Sequence, residues 1–268
     1  MKNKMLKIMM AAMMTGIMTI GSVSYVPAAA EMTEETNEEI KDTDNDNAEL
    51  REQLYGVWPV KLESYMFMPD GQILDTKGNH LCDYKIEGDK IIWDLTNASE
   101  EFIGDVQDPK VEIKLLPMDK SKLPEAQQNT DYYFSGDEDK LMEFTSSMTD
   151  SSDPMNTETK EFVDYSAKSK MDQYSYGKAL FYGYTWQSDA GSLSIDKDGN
   201  MSLNDGAQTG KLQIDNLDDY KNVSFIWDGN GIIEYTITEL DENKIVLENK
   251  EDPSKTVTLT DKVKIENE

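Results

Sequence analysis

The amino-acid sequence predicts an all-β protein of two tandem small β-barrel domains, each preceded by a short helix. Three observations lead there. Runs of alternating apolar and polar residues are punctuated by turn signals at short, regular intervals, the pattern of a barrel or sandwich. Helical periodicity is confined to two short pieces, residues 47–55 and 169–182. The two halves also repeat each other. Trp58 is followed twelve residues later by Asp70-Gly71, and Trp186 twelve residues later by Asp198-Gly199. Tyr55-Gly56 and Tyr182-Gly183 stand just ahead of the two tryptophans.

At the N-terminus, Lys2, Lys4 and Lys7 precede a Met/Ile/Ala-rich run that closes on Pro27-Ala28-Ala29-Ala30. This is the pattern of a bacterial-type signal peptide over residues 1–30, cleaved after Ala30. Thr15, Gly16, Thr19, Gly21, Ser22 and Ser24 interrupt the run and argue against a retained membrane anchor. The expected product is secreted, with no membrane insertion after cleavage. Cleavage removes three lysines and no acid, taking the formal net charge from −27 to −30. Such a chain is repelled by nucleic-acid phosphates and anionic lipid, so no nucleic-acid partner is expected. Cys82 is the sole cysteine, which excludes an internal disulfide and leaves each domain to rely on its own core.

Residues 31–47 place one strong hydrophobe, Ile40, among acidic and polar residues and read as a disordered spacer. Residues 48–145 form the first β domain, in which Pro69-Asp70-Gly71 interrupts a run of β-formers as a hairpin turn. The Ser/Thr/Asp-rich stretch at the start of residues 146–164 reads as a linker. Residues 165–268 form the second domain. There Leu193-Ser194-Ile195 and Met201-Ser202-Leu203 alternate around Asp198-Gly199, and Val257-Thr258-Leu259 is the expected closing strand. The repeat continues beyond the tryptophans. Tyr84-Lys85-Ile86-Glu87 matches Leu212-Gln213-Ile214-Asp215, and Ile91-Ile92-Trp93-Asp94 matches Phe225-Ile226-Trp227-Asp228. Tyr133-Phe134 through Lys140-Leu141-Met142-Glu143 matches Tyr235-Thr236-Ile237 through Lys244-Ile245-Val246-Leu247 if an insertion is placed at residues 102–129. Matches in the same order imply a tandem duplication.

Gly56-Val57-Trp58, on the first strand after a short helix, resembles the G-x-W signature of lipocalins and of lipocalin-like domains in secreted bacterial proteins. Phe67, Asp70-Gly71 and the run Tyr84-Lys85-Ile86-Glu87-Gly88-Asp89-Lys90-Ile91 resemble those domains as well. The resemblance spans most of residues 50–145 and, more loosely, 180–262. It implies an eight-stranded barrel in each half, with the signature residues Gly56, Trp58 and Trp186 structural and a ligand entering at the open end. The chain departs from the family in three places. Its only arginine is Arg51, so the family's arginine near the last strand is missing. Gly183-Tyr184-Thr185-Trp186 is one residue too long for the motif, and Thr130-Asp131-Tyr132 alone matches the second signature.

No catalytic constellation emerges, and the protein is expected not to be an enzyme. His80 is the sole histidine; paired with Cys82 it would share a strand face, but the second repeat has no equivalent of either. Carboxylates are too numerous for any pair to stand out. Asp42 to Asn47 alternates acids as a calcium loop does, but Asn47 and Gln53 occupy the positions where an EF-hand needs Gly and Glu. Asp196-Lys197-Asp198-Gly199-Asn200 suits a hairpin turn better than a metal. No metal and no cofactor are expected. For ligands, Met66 and Met68 flank Phe67 on one strand face, where adaptable thioethers either meet an apolar ligand or fill the core. Tyr182 and Tyr184 belong to an aromatic-rich stretch that serves either as a sugar platform or as packing. The sequence therefore predicts a secreted, non-enzymatic lipocalin-like binding protein for a small apolar ligand or a cell-surface component. The other reading is an envelope interaction module with packed barrels that contacts a glycan or a protein.

Overall fold

The computed structural model describes residues 43–61, 63–98, 102, 106–128, 140–150, 159–169, 173–214 and 220–265. The signal peptide and Thr130-Asp131-Tyr132 lie outside them. Helix α1 (Thr43–Leu54) leads into β1 (Gly56–Val60), β2 (Glu63–Phe67), β3 (Gln72–Asp75), β4 (His80–Glu87), β5 (Lys90–Asp94), β6 (Val106–Pro117), β7 (Lys140–Asp150) and β8 (Thr159–Ala167). A single helical turn, α2 (Glu125–Gln128), falls between β6 and β7. Helix α3 (Gln173–Phe181) leads into β9 (Tyr184–Ser188), β10 (Gly191–Ile195), β11 (Asn200–Leu203), β12 (Gln208–Ile214), β13 (Asn222–Trp227), β14 (Gly231–Asp241), β15 (Lys244–Asn249) and β16 (Thr256–Lys264).

The architecture is two eight-stranded, barrel-like antiparallel sheets in tandem, as the sequence predicts. Strands pair in sequence order, and the second sheet closes by pairing β16 with β9, Thr260 opposite Gln187. The first sheet curls until β8 lies beside β1, where the Ser166 hydroxyl donates to the Pro59 carbonyl. Just beyond β8, the Ser169 N–H donates to the Val57 carbonyl at 2.8 Å.

The repeat is visible strand by strand, and it corrects three boundaries. Helix α1 begins at Thr43, so residues 43–47 are helical rather than spacer. The described part of the expected linker is instead strand of the first barrel, since β7 runs to Asp150 and β8 pairs with it from Leu141↔Ala167 to Thr149↔Thr159. Its Ser/Thr-rich composition misleads because alternate residues of a half-buried strand need not be apolar, while Phe144 and Phe162 pack on the core. The junction between the barrels therefore falls between Ala167 and Gln173. Finally, residues 102–129 include β6, the counterpart of β14, so Tyr235-Thr236-Ile237 answer to β6 rather than to Tyr133-Phe134, which lie outside the described residues. The extra length of the first repeat lies in the β6–β7 connection, residues 118–139, where β14 and β15 are joined by residues 242–243 alone.

Aromatic rings fill the first barrel. Trp93 lies 5.1 Å from Tyr65, 5.3 Å from Phe144 and 6.0 Å from Phe102, and Phe67 lies 5.6 Å from Tyr84. The Trp58 indole N–H donates to the Leu54 carbonyl at 2.7 Å, fastening β1 to the end of α1. Trp186, Leu193, Ile195, Phe225, Leu247 and Leu259 are buried in the second barrel.

Strand alternation decides the fate of the two methionines. Tyr65 and Phe67 point into the first barrel, so Met66 and Met68 point out of it. They do not line its interior. With Val57 and Leu74 they form an apolar face that packs against α3 and the second barrel. Helix α3 is thus enclosed on both sides. Its Tyr176 is fully buried, donates its hydroxyl to the Phe67 carbonyl at 3.1 Å and meets Tyr220 edge-on at 4.7 Å. At the margin of this seam the Lys262 ammonium contacts the Asp70 carboxylate at 2.9 Å and lies 3.9 Å over the Tyr184 ring.

Gly177 sets how closely α3 approaches the second barrel. A Cβ there would stand 2.7 Å from Ile214 Cγ2 and 3.4 Å from Tyr220 Cβ. Gly177→Val is expected to lift the helix and cost about 1–3 kcal/mol. In calorimetry the wild type should melt in one transition and the variant at lower temperature, with the two barrels beginning to separate. A variant melting like the wild type would show that this contact does not couple them.

Candidate functional site

Two hollows stand out among the described residues, and neither lies within a barrel. The larger, of about 850 Å³, opens where the repeats meet, between α1, the residues leading into α3, and β14. Helix α1 presents Asn47 and Arg51 to it, one turn apart, with Tyr55 following. Opposite, a bulge in β14 between Ile237 and Glu239 breaks the regular alternation and brings consecutive residues 237–241 to the cleft wall. Both oxygens of Glu239 accept from the Lys244 ammonium at 2.8 Å.

The cleft lining is about equally polar and apolar, and its charges balance: Arg51, Lys168 and Lys221 face Glu52, Glu239 and Asp241. Burial raises the Tyr55 pKa above the ordinary tyrosine value; Arg51 opposes the rise, while Asp241, Glu242 and Asp70 add to it. The ring therefore keeps its hydroxyl proton. Gln173, in the first turn of α3, donates its amide to the Ser169 carbonyl at 2.7 Å. Its buried Oε1 has no partner among the described residues. A buried acceptor left over at the edge of a cleft is a natural seat for a donor brought by a ligand.

The smaller hollow, of about 440 Å³, lies against α3 on the second barrel. Tyr174, Lys178 and Tyr182 recur every four residues along α3 and its end, so they share a face. The Lys178 ammonium sits 4.2 Å over the Tyr174 ring and 5.8 Å from that of Tyr182. The Tyr182 hydroxyl donates to the Leu212 carbonyl at 3.1 Å, and burial pushes its pKa up to about 12. Gly199 leaves room for this: a Cβ there would stand 2.6 Å from the Tyr182 hydroxyl, and its φ of +81° also favours glycine.

No family model, curated protein or solved structure matches the chain. Its function has to be read from these surfaces alone.

The structure divides the candidates raised by the sequence. Tyr182 lines the smaller hollow, whereas Tyr184 lies at the seam beneath Lys262, and Met66 and Met68 are buried inside the seam. Gly56, with φ +126°, and Trp58 make the turn and the tie from α1 into β1, and Trp186 is buried in the second core. His80 and Cys82 do not share a face, because a bulge pairs Ile73 with Cys82 but Leu74 with His80. His80 is exposed and 2.9 Å from Asp83, while Cys82 is buried, its thiol pKa raised by burial and by Asp83 and Asp94.

The described acids of the two calcium candidates fall on a helix and in a hairpin turn. Asp44 and Asp46 lie in helix α1, not in a loop. Asp196 Oδ1 accepts from the N–H groups of Asp198 and Asn200 at 2.8 and 2.9 Å, and Oδ2 from the Asn200 amide at 2.8 Å. Burial opposes its ionisation, but these bonds and one from Gly199 hold its pKa below the usual aspartate value. Asp75 makes the same turn with Lys77 and Asn79. Among the described residues, no three His, Cys, Asp or Glu side chains converge, and no helix is long and apolar enough to cross a membrane.

The cleft was not legible in the sequence. Arg51, Gln173, Lys221 and Glu239 are scattered over both repeats, in polar segments without a motif, and only the uniqueness of Arg51 marks one of them.

Burial raises the pKa of Tyr55, Tyr65, Tyr84 and Tyr176 above the ordinary value. The folded chain therefore holds protons that the unfolded chain releases near pH ~10. This contribution to stability is complete below that pH and is lost as pH rises beyond it. Alkaline titration should show tyrosinate absorbance rising cooperatively with loss of β circular dichroism. Independent titration near pH ~10 with the fold intact would contradict the burial.

Proposed function

We propose that this chain is an exported, non-catalytic binding module that holds an extracellular glycan in the cleft between two packed barrels. The observation that carries the reading is where the free volume lies. The barrel interior that an apolar ligand would need is occupied in the first repeat by Trp58, Tyr65, Phe67, Trp93 and Phe144. The larger hollow lies outside, at a volume typical of small-molecule sites. Its lining suits a sugar. Amides, carboxylates and cations offer both donors and acceptors for hydroxyl groups, above a floor that includes the buried Tyr55 and Tyr220.

Export rests on the pattern of residues 1–30. The absence of catalysis rests on the exposed His80, hydrogen-bonded to Asp83, and on the buried Cys82 thiol. In this reading Gly56, Trp58 and Trp186 serve the architecture, and the resemblance to lipocalin-like domains concerns the barrel rather than a cavity within it.

Residues 31–268 screened against neutral oligosaccharides should show a ligand that calorimetry then confirms. Arg51→Gln and Gln173→Ala should each weaken it, about tenfold for loss of one good polar contact. The competing carrier function makes a different prediction. Native mass spectrometry that finds a reproducible apolar mass, removable by organic extraction, with no glycan retained on the array, would overturn the glycan reading.

A further inference from the structure

We infer that the groove between α3 and β12 is a second, separate site, selective for an acidic saccharide. The first ground is charge. The chain carries a formal −27, yet Lys178, Lys197 and Lys211 converge on this groove, with Asp198 as the acid in its lining. None of the three lysines has an ion-pair partner among the described residues, whereas Lys61, Lys85, Lys90, Lys244, Lys255 and Lys262 all do. Three ammonium groups gathered against one carboxylate among the described lining residues repel one another, and an anion placed between them relieves that repulsion.

The second ground is that the three lysines come from separate, well-anchored elements. Lys178 stands on α3 between two tyrosine rings. Lys197 belongs to the β10–β11 turn that Asp196 locks through its side-chain acceptors. Lys211 points outward from β12 because its neighbours Leu212 and Ile214 are buried. Beneath them Tyr182 is pinned to the Leu212 carbonyl and packed against Gly199. The groove is thus pre-organised, which lowers the entropy lost on binding.

The third ground decides between a sugar and an acidic peptide. Tyr174, 38 % exposed, and Tyr182 give the groove a flat aromatic wall next to the cations, and the exposed Gln213 adds an amide. A pyranose bearing a carboxylate or phosphate uses the ring wall, the amide and the ammonium groups together. A flexible acidic peptide such as oligoglutamate can meet the amide and the ammonium groups but has no rigid ring to lay on the aromatic wall. The site does not depend on the glycan reading of the larger cleft, because that cleft balances its cations with acids and has no reason to prefer an anion.

The test uses residues 31–268 with four probes: an oligogalacturonate, its carboxyl-reduced neutral form, a phosphorylated oligomannose, and an oligoglutamate of charge equal to the oligogalacturonate. At least one acidic sugar should bind, and which one does so names the anion. Its affinity should fall with rising salt, and Lys178→Met/Lys211→Met should weaken it about tenfold or more. Arg51→Gln, in the other cleft, should leave it unchanged. On the wild-type protein, bound acidic sugar should shield Lys178, Lys197 and Lys211 from acetylation, read by peptide mass spectrometry, so the outcome does not hang on the folding of a variant. Binding of neither acidic sugar, equal binding of the neutral form, equal displacement by oligoglutamate, or unshielded lysines would each overturn the proposal. Loss of neutral-sugar binding in Arg51→Gln, with acidic-sugar binding intact, would leave both sites standing as distinct.

Discussion

The burial of helix α3 between the two barrels is the constraint on which the rest of the structure depends. Its Tyr176 side chain is wholly enclosed, with the hydroxyl satisfied by a carbonyl of the first barrel and the ring seated on Tyr220 of the second. A polar group at that depth has to be paired, so the hydrogen bond fixes the distance between the barrels as well as filling a gap. Gly177 brings the helix onto Ile214, and Val57, Met66, Met68 and Leu74 cover its other side. Each barrel thereby uses part of its outer wall as core. That explains how domains without disulfides bury enough apolar area while carrying so many charges.

The seam also locates the hollows. A single repeat has its volume filled by side chains, as small barrels do. The larger cleft exists only because α1 of one repeat faces β14 of the other across the residues that lead into α3. Duplication thus has a physical consequence beyond doubling a domain, since it creates a concave surface that neither copy owns. The smaller groove shows another use of the same helix. One face of α3, carrying Tyr176 and Leu180, serves cohesion, and another, carrying Tyr174 and Lys178, is turned to solvent.

Electrostatics separates the two surfaces. The cleft matches its cations with carboxylates, whereas the groove sets three lysines against one acid, Asp198, in a chain that is strongly acidic elsewhere. At the seam the Lys262–Asp70 pair is largely shielded from water and backed by Tyr184. Desolvation offsets much of the attraction in such a partly buried pair.

What the sequence determined by itself was everything governed by local periodicity and repetition. The all-β class, the helix ahead of each tryptophan, the Asp-Gly turns and the pairing of Trp58 with Trp186 were legible because strand alternation and turn chemistry act over a few residues. Even the match of Lys140 to Glu143 with Lys244 to Leu247 falls on equivalent strands, β7 and β15. Composition misled where polar residues occupy the outer positions of real strands, as in the hairpin of β7 and β8. Alternation placed Met66 and Met68 on one face but could not say whether that face looks into a barrel or onto its neighbour. A one-residue bulge was enough to separate His80 from Cys82. Only the tertiary structure decided those outcomes, together with the cleft of Arg51, Gln173 and Glu239 and the convergence of Lys178, Lys197 and Lys211. They arise from contacts between segments far apart in the chain, where spacing along the sequence carries no record of distance in space.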